Sequence, residues 1–146
     1  MGVAVKSERL RPVRMLRGQA GGAILVVDDD PMCCRLMAAA LELDGHRVDW
    51  TTDPEHAIEL VRARQYVLVI SDVNMPRMLG TALVAQVGRI RPGLQTILVS
   101  AFADREVHAE AKALGTVLLP KPLRVDALTA AVREVLYEQS AEASAT

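Results

Sequence analysis

Five polar residues stand where apolar runs of the chain stop, and their types narrow the chemistry. Asp28 and Asp29 follow Ala23-Ile24-Leu25-Val26-Val27, and Asp72 closes the run from Tyr66 to Ser71. Ser100 follows Thr96-Ile97-Leu98-Val99, and Lys121 follows Val117-Leu118-Leu119-Pro120. Three carboxylates brought together repel and raise one another's pKa, so they share protons or hold a cation. Oxygen ligands with no His or Cys among them favour a hard ion, Mg²⁺ first.

The elements that must carry these groups are legible in the pattern. Each continuous apolar run, bounded by turn residues, reads as a strand buried on both faces of a parallel sheet. Between the runs lie helices. Asp30 is an N-cap with Pro31 at the first helical position, and Met32, Leu36, Ala39, Ala40 and Leu43 recur at helical spacing until Gly45. A short strand over Arg47 to Thr51 leads to a short helix capped at Asp53, with Pro54 next and Ala57, Ile58 and Val61 facing inward. After the loop with Pro76 and Gly80, a helix over Ala82 to Ile90 is stopped by Arg91-Pro92-Gly93. A fourth helix spans Arg105 to Leu114 and ends at Gly115, and a last one covers about Val125 to Tyr137. Five strand–helix units imply a three-layer α/β/α doubly wound sandwich with a five-stranded parallel sheet. In such sheets ligands bind outside the carboxyl ends of the strands, and all five polar residues fall at that edge.

Composition limits the alternatives. A chain of 146 residues with 51 % hydrophobic and 24 % charged residues is sized for one domain with a real core, which excludes wholesale disorder. Residues 1–22 lack apolar periodicity and carry net +4, leaving −5 for the rest; they read as a flexible basic leader. Residues 23–138 form the folded unit and 139–146 a disordered tail. With few aromatics and no basic–aromatic interleaving, direct nucleic-acid binding is not expected. No secretory apolar segment or membrane-length apolar run is present, and Lys6 stands where a myristoylation motif needs Ser or Thr. The adjacent Cys33 and Cys34 cannot close a structural loop, which fits a reducing cytoplasm and a role in helix packing. His46, His56 and His108 lack ligand spacing and read as surface residues.

The runs ILVVDDDP, YVLVISDVNMP with Gly80 following, ILVSA and the closing Lys121-Pro122 together resemble the receiver domain of two-component response regulators. The resemblance covers about residues 23 to 138, with elements in the family's order. It implies a CheY-like, flavodoxin-like sheet of order 2-1-3-4-5. It also implies that Asp72 is the phosphoacceptor, that Asp29 binds Mg²⁺ directly and Asp28 largely through water, and that Asn74 gives its backbone carbonyl to the metal. Ser100 would donate its hydroxyl to a phosphoryl oxygen, assisted by the Ala101 N–H, and Lys121 would pair with the phosphoryl charge. In-line transfer from a phosphohistidine needs a carboxylate nucleophile and positive charge on the equatorial oxygens, which this set supplies. The implied partners are a sensor histidine kinase or histidine phosphotransfer protein and a downstream effector protein. The chain would be a cytoplasmic monomer or weak dimer, and no enzyme beyond its own phosphoryl transfer and dephosphorylation.

Three departures qualify the resemblance. Ser100 replaces the commoner Thr and keeps the hydroxyl. Leu118 stands where many receivers carry Tyr or Phe, so the switch set would be Ser100, Phe102 and Leu118, with Phe102 as the responding group. The chain ends after the last helix, so a stand-alone receiver is expected. Pro120 is tolerated only if its strand lies at an edge. Helix capping explains Asp30 and leaves Asp28 and Asp29 unexplained. Competing readings are a non-phosphorylated scaffold receiver, a receiver cut from a hybrid kinase, and a haloacid-dehalogenase-like phosphatase. The last fits Asp28-x-Asp30 superficially but lacks a late acidic pair after Lys121. A dinucleotide-binding domain would need a G-x-G-x-x-G after the first strand, which is missing.

Overall fold

The structure is a computed structural model and describes residues 22–102 and 104–145, with side chains as far as Tyr137. The predicted leader thus lies outside the described residues, apart from Gly22. Five strands alternate with five helices: β1 (Ala23–Val27), α1 (Pro31–Leu43), β2 (Val48–Thr51), α2 (Pro54–Ala63), β3 (Tyr66–Asp72), α3 (Gly80–Ile90), β4 (Gln95–Ser100), α4 (Arg105–Leu114), β5 (Val117–Pro120) and α5 (Val125–Ala145). All pairings are parallel and the sheet order is β2-β1-β3-β4-β5, as the resemblance implied. β5 is an edge strand, which accommodates Pro120.

Alternation along each strand divides the core between the two faces. Ile24, Val26, Leu68, Ile70, Ile97 and Val99 pack with α1 and α5, while Leu25, Val27 and Val69 pack with α2 and α3. A smaller cluster of Val73, Val84, Leu98 and Ala111 lies under α4. Caps set the helix starts. The Asp30 carboxylate accepts the Met32 N–H at 3.0 Å, Asp53 accepts that of Glu55 at 2.9 Å, and Asp104 that of Val107 at 2.9 Å. Each such cap contributes about 1 kcal/mol. α4 ends at Gly115, whose φ of 70° is a left-handed conformation that favours glycine.

Three expectations need correction. Of the stripe Met32, Leu36, Ala39, Ala40 and Leu43 only Ala40 is buried: the other four are exposed, and Cys34, Met37, Ala38 and Leu41 are buried with Ala40 instead. Small and sulfur-bearing residues fit the close approach of α1 to the sheet. The last helix does not end near Tyr137 but continues to Ala145, because no Gly or Pro interrupts a stretch of Glu, Gln, Ser and Ala. Of the three histidines only His108 is exposed; His46 and His56 are half-buried.

Candidate functional site

The sheet topology brings the polar residues to one place. β1 and β3 are neighbours at the point where strand order reverses, so their carboxyl ends set Asp28, Asp29 and Asp72 side by side. Ligand oxygens of these three residues lie within 4.8 Å of one another. Asp28 and Asp72 are buried and Asp29 is exposed at the mouth. From the loop after β5, Lys121 Nζ lies 3.2 Å from Asp28 Oδ2 and 3.1 Å from Asp72 Oδ1. The ammonium therefore bridges the acids of two different strands. The Lys121–Pro122 peptide is cis.

Electrostatics follow from this crowding. Burial is the main cause that raises both Asp28 and Asp72 above the ordinary carboxylate value; the Asp30 N–H and Lys121 offset part of it at Asp28, and Lys121 part of it at Asp72. Burial by itself would lower Lys121, but Asp72 and Asp28 outweigh it and hold the ammonium above its ordinary value. One cation serves two buried acids, so the cluster is short of positive charge. Nearby thiols are passive: burial, then the Asp28 charge, push Cys33 up to about 11 and Cys34 up to about 12. The Cys34 thiol donates to the Asp28 carbonyl at 3.2 Å, which fits the expected packing role.

Ser100, buried at the end of β4, accepts the Phe102 N–H at 3.0 Å and the Asn74 carboxamide at 3.5 Å. Asn74 and Ala101 are exposed beside it. Phe102 is 75 % exposed, and Leu118 is half-buried within β5 opposite Leu98, away from the carboxylates. Thus Asp28, Asp29, Asp72 and Lys121 converge, Ser100 and Asn74 join them from the adjacent strand end and loop, and Leu118 stands apart.

Sequence reasoning placed Gly80 in the loop and in the motif but gave it no role at the site. Its N–H donates to the Val73 carbonyl at 2.8 Å, and a Cβ there would sit 2.2 Å from the Asp72 carbonyl oxygen. Only glycine lets α3 start against the backbone of Asp72. The available signal was a helix beginning at glycine, where Leu79 offers no side-chain cap.

Receiver domains generally bind Mg²⁺ at an acidic pocket, and this one fits that ion: its donors are carboxylate oxygens, and its two buried carboxylates are paired, among the described residues, with Lys121 alone. The response regulator receiver domain model matches residues 24–133. The transcriptional regulatory protein ZraR of Escherichia coli O157:H7 is 34 % identical over 114 residues, which cover 77 % of this chain and 26 % of that protein. TcrA of Mycobacterium tuberculosis is 34 % identical over 125 residues, 84 % of this chain and 49 % of that protein. The chain therefore spans a quarter to a half of the length of these relatives. Among solved structures, a CheY-like receiver domain protein of Methanospirillum hungatei JF-1 superposes with a TM-score of 0.79 at 27 % identity, covering 83 % of this chain and 98 % of that one. Chemotaxis protein CheY4 of Vibrio cholerae gives 0.74 at 26 % identity, covering 80 % and 99 %. Domains of this kind are generally signalling modules, not enzymes, and imply histidine kinase partners. Motifs, sheet order and matches agree, and the chain belongs to the response regulator receiver family.

Proposed function

We propose that the domain accepts a phosphoryl group on Asp72 from a phosphohistidine donor in the cytoplasm and passes the change to a partner surface. The observation that carries this reading is the position of Asp72: a buried carboxylate with Asp28 and Asp29 beside it and Lys121 Nζ at 3.1 Å. Mg²⁺, when held by Asp28, Asp29 and Asp72 with the Asn74 carbonyl, would supply positive charge to the transferring group. Asp72 attacks phosphorus through a carboxylate oxygen, the bond to the donor nitrogen breaks, and the leaving imidazole keeps that electron pair. Lys121 neutralises the incoming phosphoryl oxygens, and the Ser100 hydroxyl with the Ala101 N–H donates to them.

The donor needs a place to dock. An apolar groove of about 350 Å³ opens between α1 and the start of α5 beside Lys121, lined by Cys33, Leu36, Leu123 and Val125. Leu36 and Val125 are each more than half exposed there. A histidine kinase or phosphotransfer protein seated on this face would bring its imidazole to the mouth of the carboxylate cluster. On the output side, α4 has only Ala111 fully buried, which favours it and the loop before it as the responding element.

Intact-mass analysis after incubation with Mg²⁺ and acetyl phosphate tests the proposal. One phosphoryl adduct is expected in wild type and none in Asp72→Asn. An adduct that survives this substitution removes Asp72 as the phosphoacceptor, and no adduct in a wild type shown to bind Mg²⁺ replaces the reading with a non-phosphorylated scaffold.

A further inference from the structure

Outside the carboxylate cluster, one more acid is buried among the described residues. Asp49, in the middle of the edge strand β2, is fully buried on the face that α2 covers. Its Oδ2 accepts the Tyr66 hydroxyl at 2.6 Å and the Arg64 guanidinium at 3.2 Å. These donors belong to different elements: Tyr66 opens β3, two strands away, and Arg64 is the C-cap residue of α2. The phenol crosses β1 where the small Ala23 is its pairing partner. Burial, then the Asp49 hydrogen bond and charge, hold the phenol well above its ordinary pKa, so it remains a donor. Asp49 Oδ1 is buried with no protein partner.

A half-satisfied buried carboxyl is a poor source of stability, since an apolar side chain of similar size would avoid the desolvation cost. Its use is in excluding alternatives. β2 has four residues and pairs only with β1, Asp49 lying opposite Leu25. A slip of one residue would turn Val48 or Trp50 toward α2. A slip of two keeps the faces but sets Arg47 or Thr51 opposite Leu25. Arg47 would meet Arg64 with like charge, and the short hydroxyl of Thr51 would not reach both donors.

We infer that Asp49, Tyr66 and Arg64 form a polar lock, buried at Asp49 and Tyr66 and closed at its rim by Arg64, that fixes the register of β2 beneath α2. Tyr66 and Asp72 stand at opposite ends of β3, so the lock and the carboxylate cluster share a strand but no contact.

Trp50, the chain's single Trp and 4 % exposed beside Asp49, reports on it directly. The test compares wild type, Tyr66→Phe and the double variant Asp49→Leu/Tyr66→Phe by hydrogen exchange over Val48–Thr51 and by the Trp50 indole NMR signal. Loss of the hydroxyl in Tyr66→Phe should speed exchange at least tenfold. The double variant should unfold cooperatively yet show more than one indole resonance, as strands in different registers give different Trp50 environments. Wild-type exchange in Tyr66→Phe, or a single indole resonance with wild-type protection in the double variant, overturns the lock. Should the double variant fail to fold, the exchange result for Tyr66→Phe decides alone.

Discussion

The Phe102 N–H donates to Ser100 Oγ at 3.0 Å, so the loop after β4 is pinned by the same hydroxyl that a phosphoryl group on Asp72 would recruit. Turning Ser100 toward the site gives up this bond and frees the loop. A beryllofluoride phosphoryl mimic should therefore shift amide resonances mainly between Ala101 and Arg105 and along α4, and less in β5. Phe102→Ala should shrink that response while Asp72 still accepts phosphoryl. NMR with and without the mimic checks this; shifts centred on Leu118, or an unchanged response in Phe102→Ala, would contradict it.

The adjacent acids Asp29 and Asp30 should separate by function. Asp29 belongs to the oxygen cluster, whereas Asp30 accepts from Met32 N–H as a helix cap. Asp29→Ala should lose Mg²⁺ affinity at least tenfold, about 1.4 kcal/mol. Asp30→Ala should keep the affinity and lose about 1 kcal/mol of stability. Mg²⁺ titration and urea unfolding of both variants read the two effects independently.

Stability without metal should depend on pH in an unusual direction. The folded state holds the Asp28 and Asp72 protons to higher pH than the unfolded chain, whose carboxylates titrate near 3.8. From that value up to the raised folded values, the unfolded state binds fewer protons, so these two groups subtract stability as pH rises. Asp72→Asn removes one of them, and its stability relative to wild type should grow across this window. Mg²⁺ at a hundred times its Kd should add about 2.7 kcal/mol to wild type at neutral pH. Lys121→Ala should still bind Mg²⁺. Urea unfolding followed by Trp50 fluorescence at a series of pH values rising from the ordinary carboxylate value of 3.8 tests the window.

Gly80→Ala should damage the site through the backbone. The added methyl would stand 2.2 Å from the Asp72 carbonyl oxygen, which has no flexible side chain to move aside. A cost of about 1–3 kcal/mol is expected. Phosphorylation at Asp72 should slow as well, because the displaced backbone carries the nucleophile. Acetyl-phosphate kinetics and thermal unfolding on one sample measure both effects. Normal kinetics at reduced stability would mean that α3 yields instead of β3.

The carboxylate cluster was legible because each member closes an apolar run, and parallel strands deliver such ends to one edge. Asp28, Asp29, Asp72 and Lys121 needed no distances to be grouped. The inward face of α1 was misread because Met32, Leu36 and Leu43 are strongly apolar yet exposed, Leu36 on the wall of the groove beside Lys121. Hydropathy records a preference for burial and is silent on whether another protein will supply it. Asp49 left no signal because a lone acid in a four-residue strand looks like a solvent-facing one until Tyr66 and Arg64 are seen to reach it. The approach of α3 to Asp72 is a backbone relationship, and no side-chain pattern encodes it beyond Gly80 itself.

The two flanks of the sheet are held very differently. Every residue of β2 is buried, whereas Val117 and Pro120 of β5 are exposed and α4 rests on Ala111 with partial cover from Val107 and Leu118. Moving α4 therefore breaks few apolar contacts, and the barrier to that motion is correspondingly low. Helix shifts of this kind run in microseconds to milliseconds. Under the receiver reading, α4 would follow the state of Asp72 without lag, and the duration of the signal would be set by the hydrolytic lifetime of the acyl phosphate and not by the protein's own relaxation.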